Sequence, residues 1–460
     1  MRFHFAQSNA DNMRSRISLE KRGPAKRSPG VARLRPHASS LFTSLTCSLL
    51  VVYIGRISEL LPPLQPLPLG KILVAAILLN LFIGKAAASA AFPSTRISRI
   101  LIALLTLAIF SVFVSVWRSQ SLGFLLHSVF LIALTTFAVF RVSLTQAGRS
   151  SIVTSLAICG LVLTSSGILA MGDGRLQVGA TYDPNDLAMV LTMLLPFMVL
   201  RARTSSGLTR LGWAAACGLC ICVVLLTQSR GGLAALIVVV AYLAIVRAWD
   251  QKRKHPVRLK NVVIATVALT FLSVPAWTFL PDDAKARFST MLNLSEDYNV
   301  TEKDVGRFAI WSRGMRQLAS APWGSGIAAF SAAEGKLGGR YYTAHNSLVQ
   351  ISVELGVLGG LAFIVLLVAL FRGTSSAEAR TAARQVLSAD SKVRTVAVEA
   401  YLPTHIRASL FGYVPAAVFL SQAYQPLLYV LAALISALSV STDQRASVGR
   451  PISAGGPSAD

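Results

Sequence analysis

Charged residues are scarce in this chain: Asp, Glu, Lys and Arg together make up 14% of its 460 residues. Soluble domains are about one quarter charged. Hydrophobic residues reach 53%, and apolar runs approaching about 20 residues, the length that crosses a bilayer, recur along the chain. This composition excludes a soluble globular protein and indicates a polytopic membrane protein. Because lipid cannot hydrogen-bond to the backbone, such long and continuous runs are expected to be helices.

The apolar runs predict an all-α, polytopic membrane helix bundle with about 11–12 transmembrane helices. The last two runs form either two spans or one bent helix. The twelve candidate spans are 41–56, 69–84, 99–117, 122–140, 150–171, 185–200, 210–227, 231–247, 262–280, 346–371, 408–420 and 424–441.

Acidic residues are also few: 20 Asp and Glu stand against 44 Lys and Arg, which gives a formal net charge of +24. Such an excess can indicate nucleic-acid binding. If the N-terminus is cytoplasmic, however, 31 of the 44 basic residues fall in segments on the cytoplasmic side. Because basic loops stay in the cytoplasm, the excess is a topology signal, and no nucleic-acid partner is expected.

This topology divides the chain into seven segments. No apolar run follows Met1 closely enough for a cleavable signal peptide, and Met13 is an alternative start. The segments are a disordered basic cytoplasmic arm (1–40), transmembrane helices 1–9 (41–280), a large periplasmic loop with the catalytic motifs (281–345), transmembrane helix 10 (346–371), a cytoplasmic loop (372–407), the last one or two spans (408–441) and a cytoplasmic tail (442–460).

The large loop contains one stretch with a helical pattern, from about Val305 to Ser320. Its apolar residues recur at helical spacing, which predicts an amphipathic helix near the membrane, ended by turn residues. The apolar residues are Phe308, Trp311, Met315 and Leu318, and the turn residues are Pro322, Gly324 and Gly326.

Metal ligands are sparse. The five cysteines all lie in predicted spans, and the C-x-x-C pair Cys217–Cys220 has no suitable further His or Cys, so we expect packing residues without a disulfide. The acidic residues of the large loop are interpreted as a solvated surface, and no metal or cofactor is expected. These acidic residues are Asp282, Asp283, Glu296, Asp297, Glu302, Asp304 and Glu334, balancing Lys285, Arg287, Arg313 and Arg316.

Histidine is rare as well. Of the six, only His345 is predicted to face the periplasm, where the large loop enters the tenth span. Histidine is the side chain best suited to move a proton near neutral pH. A base on this side of the membrane therefore has one obvious candidate.

Arg230 stands between two apolar runs, at the periplasmic tip of the hairpin formed by spans seven and eight. The tip reads Gln-Ser-Arg-Gly-Gly, from Gln228 to Gly232. Charge at a membrane edge is costly, so the arginine marks either a surface turn or a grip on an anion.

Two spans begin with polar residues. Asn346, Gln350 and Glu354 share one face of span ten, where they either serve function or let Glu354 pair with an arginine that locks the bundle. Before span six, Asp183 is a natural N-cap, followed by Pro184 and Asp186. Capping explains that pattern, and contact of Asp183 and Asn185 with a sugar hydroxyl or an acceptor is the alternative.

Five motifs on this side of the membrane together resemble the O-antigen ligase and polymerase superfamily. Their order and spacing carry the resemblance, which covers about residues 150–371. The motifs are DPNDLA (183–188), SRGG (229–232), GRFAIW (306–311), PWGSGIAAF (322–330) and AHNSLVQISVELGVLGG (344–360).

The resemblance implies transfer of a glycan from an undecaprenyl-diphosphate carrier to an acceptor hydroxyl, such as a glycan or lipid A-core, on the periplasmic face of the bacterial inner membrane. It implies that Arg230 and Arg307 bind the diphosphate and that His345 is the base. The remaining motif residues, Ser229, Gly231, Gly232 and Trp311 among them, are expected to support the site. Arg340, Tyr341 and Tyr342 could shape a sugar-binding rim.

The chemistry agrees with these roles. Arginine presents a planar, charged fork to phosphate oxygens, and glycines would let the backbone approach the phosphate. Two arginines should lower the histidine pKa and keep His345 neutral. The sequence supports a metal-independent inverting transferase, either a ligase or a polymerase of repeat units. A transporter or flippase for lipid-linked glycans is the alternative from another class, although no inverted repeat is visible.

Overall fold

The computed structural model describes residues 38–83, 95–170, 175–176, 178, 182–254, 285, 306–387 and 397–448. Side chains are described throughout these ranges except at 62, 249–254, 378–397 and 441–448. Nearly all of the predicted basic arm, the span at 262–280, most of the first part of the large loop and the end of the tail lie outside the described residues.

The described residues form helices and short helical turns, with no strand among them. Seven of the helices described, α3 to α8 and α11 below, are long and apolar enough to cross a membrane. This confirms the predicted all-α, polytopic membrane bundle. In chain order the helices are α1 Ser40–Tyr53, α2 Leu69–Ile83, α3 Arg96–Phe113, α4 Arg118–Ser143, α5 Gln146–Leu169, α6 Pro184–Thr204, α7 Gly207–Leu226, α8 Arg230–Lys254, α9 Arg307–Ser320, α10 Phe330–Lys336, α11 Ser347–Leu387, α12 Ala397–Ala417 and α13 Pro426–Val448.

Helix α6 lies at the centre of the packing. All of its residues from 187 to 198 are buried, on every side of the helix. A helix that is apolar all round is stable only where neighbours cover it. Helices α5, α7, α8 and α12 pack against α6 and provide that cover. The first turn of α6 is therefore held among several neighbouring helices.

The first residues of α6, α8, α11 and α13 lie at one end of the bundle, which we call the site end. A Cβ added at Gly232, in the first turn of α8, would lie 2.4 Å from the Cβ of Ala188 in α6. Gln422, between α12 and α13, donates a hydrogen bond to Asp186 in α6 at 2.7 Å. His345, just before α11, donates to Ser421 at 2.8 Å.

Helix α11 is broken at Gly356. This residue has φ 76° and ψ −176°, a conformation that favours glycine. A Cβ there would lie 2.4 Å from the carbonyl oxygen of Pro322, so an added side chain would also clash. Beyond the break, the Val357 N–H donates to that same Pro322 oxygen at 2.9 Å. The segment before α10 thus takes the place of helical backbone.

The carbonyls on the other side of the break bond to the same segment. The Ser325 N–H donates to the Val353 oxygen at 2.8 Å, and the Gly326 N–H donates to the Glu354 oxygen at 3.0 Å. A helix in lipid has to satisfy its backbone groups within the protein. The segment 322–326 does so at the break and fixes the α9–α10 region to α11. Its predicted turn residues are present, and Gly324 and Gly326 both have positive φ.

The predicted amphipathic helix is present as α9. A Cβ added at Gly314 would lie 3.1 Å from the ring of Phe330 in α10 and 3.2 Å from Val349 in α11, so this face is closely packed. Phe308 and Met315 are 60% and 51% exposed. An apolar face directed away from the protein suits a helix that lies against lipid.

The last helices differ from the boundaries that the sequence suggested. Helices α12 and α13 are separate, with residues 418–425 between them, so 408–441 does not form one bent helix. Helix α11 continues to Leu387 and α12 begins at Ala397, so the stretch 372–407 is largely helical. Hydropathy detects only the apolar part of a helix, whereas the Ala and Arg that are frequent here extend helices beyond it.

The charge distribution predicts that the site end faces the periplasm. A cysteine replacing Ser320, exposed at the end of α9, should then react with a membrane-impermeant thiol reagent in cells with a permeabilised outer membrane. A cysteine replacing Ser376, exposed far along α11, should react only after the inner membrane is broken. The unsubstituted chain gives the background of the natural cysteines. The reverse pattern would invert the orientation and remove the reason for choosing His345.

Candidate active site

Arg230 is the first residue of α8, after a buried turn. Gln228 has a φ of 55°, and Ser229 is only 2% exposed. The Ser229 hydroxyl accepts a hydrogen bond from the Gly232 N–H at 3.2 Å and caps the helix. Arg230 therefore lies half-buried at a capped N-terminus, where the helix dipole favours anions.

The two glycines after Arg230 differ in their surroundings. Gly232 faces Ala188 at a distance that leaves no room for a side chain, so its small size serves the packing of α8 on α6. This packing is enough to explain why residue 232 is a glycine, without the predicted close approach of its backbone to a phosphate. A Cβ at Gly231 would lie 3.8 Å from Phe419, an ordinary contact. Phe419 lies in the loop between α12 and α13.

Asp183 is the N-cap of α6, as the sequence predicted. Its carboxylate accepts hydrogen bonds from the N–H groups of Asn185 at 2.7 Å and Asp186 at 2.8 Å. The Asn185 side chain accepts from Arg175 at 2.9 Å, and Arg175 also donates to the Thr227 carbonyl at 3.3 Å. Arg175 thus joins the start of α6 to the end of α7.

His345 is held in an unusual backbone conformation. Its φ is 45°, in the left-handed region that few residues other than glycine adopt. Its N–H donates to the Ser421 hydroxyl at 2.8 Å, and its Nε2 lies 3.2 Å from the Thr343 hydroxyl. Burial lowers the pKa of His345, the positive charge of Arg307 lowers it further, and Asp183 opposes the shift. The neutral imidazole is favoured. The sequence predicted this shift from two arginines, whereas its causes are burial first and Arg307 second, with no contribution from Arg230.

Arg307 is the first residue of α9, and its guanidinium lies 5.6 Å from the centre of the Phe419 ring. This is a cation–π distance. A Cβ built on Gly231 would lie 3.8 Å from the same side chain, so Phe419 is close to the starts of both α9 and α8. Arg230 and Arg307 come from motifs far apart in the sequence, and Phe419 links their helices.

Trp311 lies one turn along α9. Its indole N–H donates to the carbonyl of Ala344 at 2.8 Å, and Phe308 packs on its ring edge to face. Ala344 is the residue before His345. Trp311 therefore ties α9 to the backbone beside the histidine.

The polar residues at the start of α11 contact the loop between α12 and α13. Asn346 caps α11 by accepting from the N–H groups of residues 348 and 349, both at 2.9 Å. The Gln350 side chain accepts from the Ala423 N–H at 3.4 Å. Glu354, 2% exposed, accepts from the Tyr424 hydroxyl at 2.8 Å and from the Phe330 N–H at 3.4 Å. The partners of Glu354 are thus a hydroxyl and a backbone amide. One of the two interpretations of the sequence had expected an arginine as its partner.

One acidic residue of the large loop is deeply buried, which corrects the interpretation of a solvated surface. Glu334 in α10 is 1% exposed and forms an ion pair with Arg313 of α9 at 2.6 Å. Its second oxygen accepts from the Tyr342 N–H at 3.2 Å. Pattern alone could not reveal this pair, because it depends on how α10 folds back on α9. The other acidic residues of that loop lie outside the described residues.

An apolar cavity of about 350 Å³ lies beside Tyr424 rather than at His345. Side chains of α3, α4 and α11 form most of its wall. Tyr424, the partner of Glu354, also lines the cavity, as does Ile327, the residue after the segment 322–326. The cavity therefore adjoins the Tyr424 side of the Glu354–Tyr424 hydrogen bond.

Sequence reasoning missed Arg175 and the loop residues Phe419, Ser421 and Gln422. None of them belongs to a motif. Arg175 bonds Thr227, 52 positions away, Ser421 bonds His345, 76 positions away, and Gln422 bonds Asp186, 236 positions away. Arg175 had a weak signal, as an isolated cation just before the DPNDLA motif. Among the described residues, no group of three His, Cys, Asp or Glu could hold a metal. Metal independence stays a prediction.

Comparison with known proteins agrees with the motifs. The family model described as O-antigen ligase matches residues 215–364, about one third of the chain. The match includes Arg230, Arg307 and His345, whereas Asp183 and the 418–425 loop lie outside it. It confirms the predicted resemblance over these residues. No curated protein matches the chain.

The Arg313–Glu334 pair makes a prediction about stability. Glu334→Gln leaves the Arg313 charge buried without its partner, and such losses cost about 3–5 kcal/mol. We expect a clearly lower melting temperature of the detergent-solubilised protein. The double variant Arg313→Met with Glu334→Leu, which removes both charges, should melt above the single variant. A Glu334→Gln protein that melts like the wild type would show that the pair is solvated.

Proposed function

Residues 215–364 belong to the O-antigen ligase family, and from this premise we propose that the protein transfers a glycan from an undecaprenyl-diphosphate carrier to an acceptor hydroxyl. The reaction takes place at the periplasmic face of the inner membrane. The observation that carries the proposal is that the helix of Arg307 is bonded to the backbone beside His345: Trp311, one turn after Arg307, donates to the Ala344 carbonyl at 2.8 Å, and the charge of Arg307 lowers the pKa of His345. A base and a cation in one site are what this transfer requires.

His345 is the general base of the proposed step. A ring nitrogen takes the proton of the acceptor hydroxyl while its oxygen attacks the anomeric carbon of the donor sugar. The bond from that carbon to the diphosphate oxygen breaks, the configuration inverts, and undecaprenyl diphosphate leaves. The lowered pKa supports this role, since only the neutral imidazole accepts a proton.

Arg307 and Arg230 bind the diphosphate and stabilise the charge that it gains as the bond breaks. The arginine fork matches phosphate oxygens better than a lysine ammonium does. The closeness of Phe419 to both Arg307 and Gly231 supports joint action of the two arginines. The nearby apolar cavity supports a donor that has a hydrocarbon tail and a polar head.

Site variants test these roles. His345→Ala removes the base but leaves the arginines, so donor lipid should still bind while turnover falls about 10²–10⁴-fold. Arg230→Lys and Arg307→Lys keep the charge and lose the fork, so each should weaken donor engagement as well. Asp183→Asn should be mild, because asparagine caps helices about as well.

The readout is complementation of a deletion strain, followed on a lipopolysaccharide gel with membrane levels checked by blot. Loss of a ligase leaves bare core, whereas loss of a polymerase, the alternative activity, leaves core with one repeat. If the gel of the deletion strain were the same as that of the parent strain, the proposed function would be wrong. Full transfer by normally produced His345→Ala would remove the role of His345 alone.

The pH dependence follows from the shifted pKa of His345. The rate should be constant above that pKa and fall as the pH drops through it, below the usual histidine value near 6.5. Arg307→Gln removes the neighbouring positive charge and should move this acidic limb upward, whereas Arg307→Lys should leave it nearly in place. The measurement is kcat as a function of pH. An acidic limb at the same pH in Arg307→Gln and in the wild type would contradict the influence of Arg307 on the pKa of His345.

Metal independence is part of the proposal. If arginines alone neutralise the diphosphate, the purified protein should keep its activity in excess chelator. A loss that magnesium or manganese restores would return attention to the acidic residues between 281 and 305.

A further inference from the structure

The loop of residues 418–425 contacts each element of the candidate site, although it lies outside the matched residues. We propose that Ser421, in the middle of this loop, is a positioning residue that holds His345 in its left-handed backbone conformation and so directs the imidazole toward the acceptor hydroxyl. The inference rests on the proposed function, because it takes His345 as the base.

The first argument is the backbone of His345. At φ 45° the residue is strained, and such conformations persist only where the surroundings determine them. Its N–H precedes α11 and donates to the Ser421 hydroxyl at 2.8 Å. Without this acceptor, a half-buried N–H would lose its partner and the strained conformation would lose its support. The direction of the imidazole follows the backbone that carries it.

The second argument is that both neighbours of Ser421 in the sequence, Leu420 and Gln422, are bonded to the segment that contains His345. The hydroxyl of Ser347 donates to the Leu420 carbonyl at 2.7 Å and accepts from the Gln422 N–H at 3.0 Å. Ser347 is two residues after His345. Residues 345–347 and 420–422 are thus joined by three hydrogen bonds, with the Ser421–His345 bond as the one that acts on the base directly.

The third argument is that the loop is also fixed to α6 and α12. The Gln422 side chain donates to Asp186 at 2.7 Å, and the Tyr413 hydroxyl donates to the Gln422 carbonyl at 2.8 Å. Helix α6 is the buried centre of the bundle. Ser421 therefore transmits a rigid position to His345.

The charged groups that act on His345 come from two other elements. Arg307 at the start of α9 lowers its pKa, and Asp183 before α6 raises it. From the loop, Ser421 and Gln422 contribute polar groups without charge. If His345 moves toward solvent, the burial that lowers its pKa decreases, so the position of the ring has a direct signature in the pH profile.

Ser421→Ala tests the inference in the purified full-length protein with a lipid-diphosphate donor and acceptor. Misplacement by about 1 Å can cost on the order of 10²-fold, so we expect kcat to fall about 10–100-fold. KM for the donor should stay within about twofold, since both arginines remain. The acidic limb should move up toward the usual histidine value. Ser439→Ala is the control, because that hydroxyl only bonds the Ile435 carbonyl of its own helix.

Conservative variants separate positioning from a general loss of structure. Ser421→Thr keeps the hydroxyl and should restore kcat and the acidic limb. Ser421→Cys keeps the size but accepts hydrogen bonds weakly, so it should shift both parameters in the direction of Ser421→Ala. If the Ser421→Ala protein does not accumulate in the membrane, kcat and the acidic limb are measured in Ser421→Cys instead. If kcat and the acidic limb stay at wild-type values in Ser421→Ala, or in Ser421→Cys, the inference is overturned.

A double-variant cycle shows whether Ser421 acts through His345. In a His345→Ala background, Ser421→Ala should lower the residual rate no further. An equal loss in both backgrounds would overturn the inference while leaving the proposed function intact. Full activity of His345→Ala would instead remove the base itself, and with it both the role of His345 and the inference.

Discussion

Backbone groups inside a bilayer must find their hydrogen bonds within the protein, and the site depends on how this constraint is met where α11 breaks. At Gly356 the helix leaves carbonyls that its own N–H groups do not reach, and Ser325 and Gly326 donate to them. The same segment carries the chain from α9 to α10. Because the break needs this segment, the α9–α10 region is fixed to α11, and Arg307 is brought to the site end that contains His345.

The candidate site is built from the starts of helices rather than from one loop. Asp183, Ser229 and Asn346 each cap a helix, so the backbone around the site is satisfied before any substrate arrives. Two residues directly before these caps have positive φ: Gln228, at 55°, and His345, at 45°. Strain in a base held by its neighbours is consistent with a site organised in advance, in which little reorganisation accompanies the reaction.

The local parts of this arrangement could be predicted, and the distant ones could not. A cap depends on residues two or three positions apart, so the cap formed by Asp183 follows from spacing. Gly232 is small because Ala188 approaches it, and Glu334 is buried because Arg313 meets it there. Neither contact leaves a pattern in the sequence. The loop of residues 418–425 has no motif at all, since it acts through single hydrogen bonds to partners far away in the chain.

The sequence by itself determined the class of fold and the motifs that the family match covers. Long apolar runs require helices in lipid whatever their neighbours are, and this requirement is local. Only the tertiary structure decided which groups surround His345. Its lowered pKa comes from burial and from Arg307, 38 positions earlier, and its backbone is held by Ser421, 76 positions later. Electrostatic and hydrogen-bond partners act over a few ångströms in space, and the folding of the bundle alone sets which residues come within that distance.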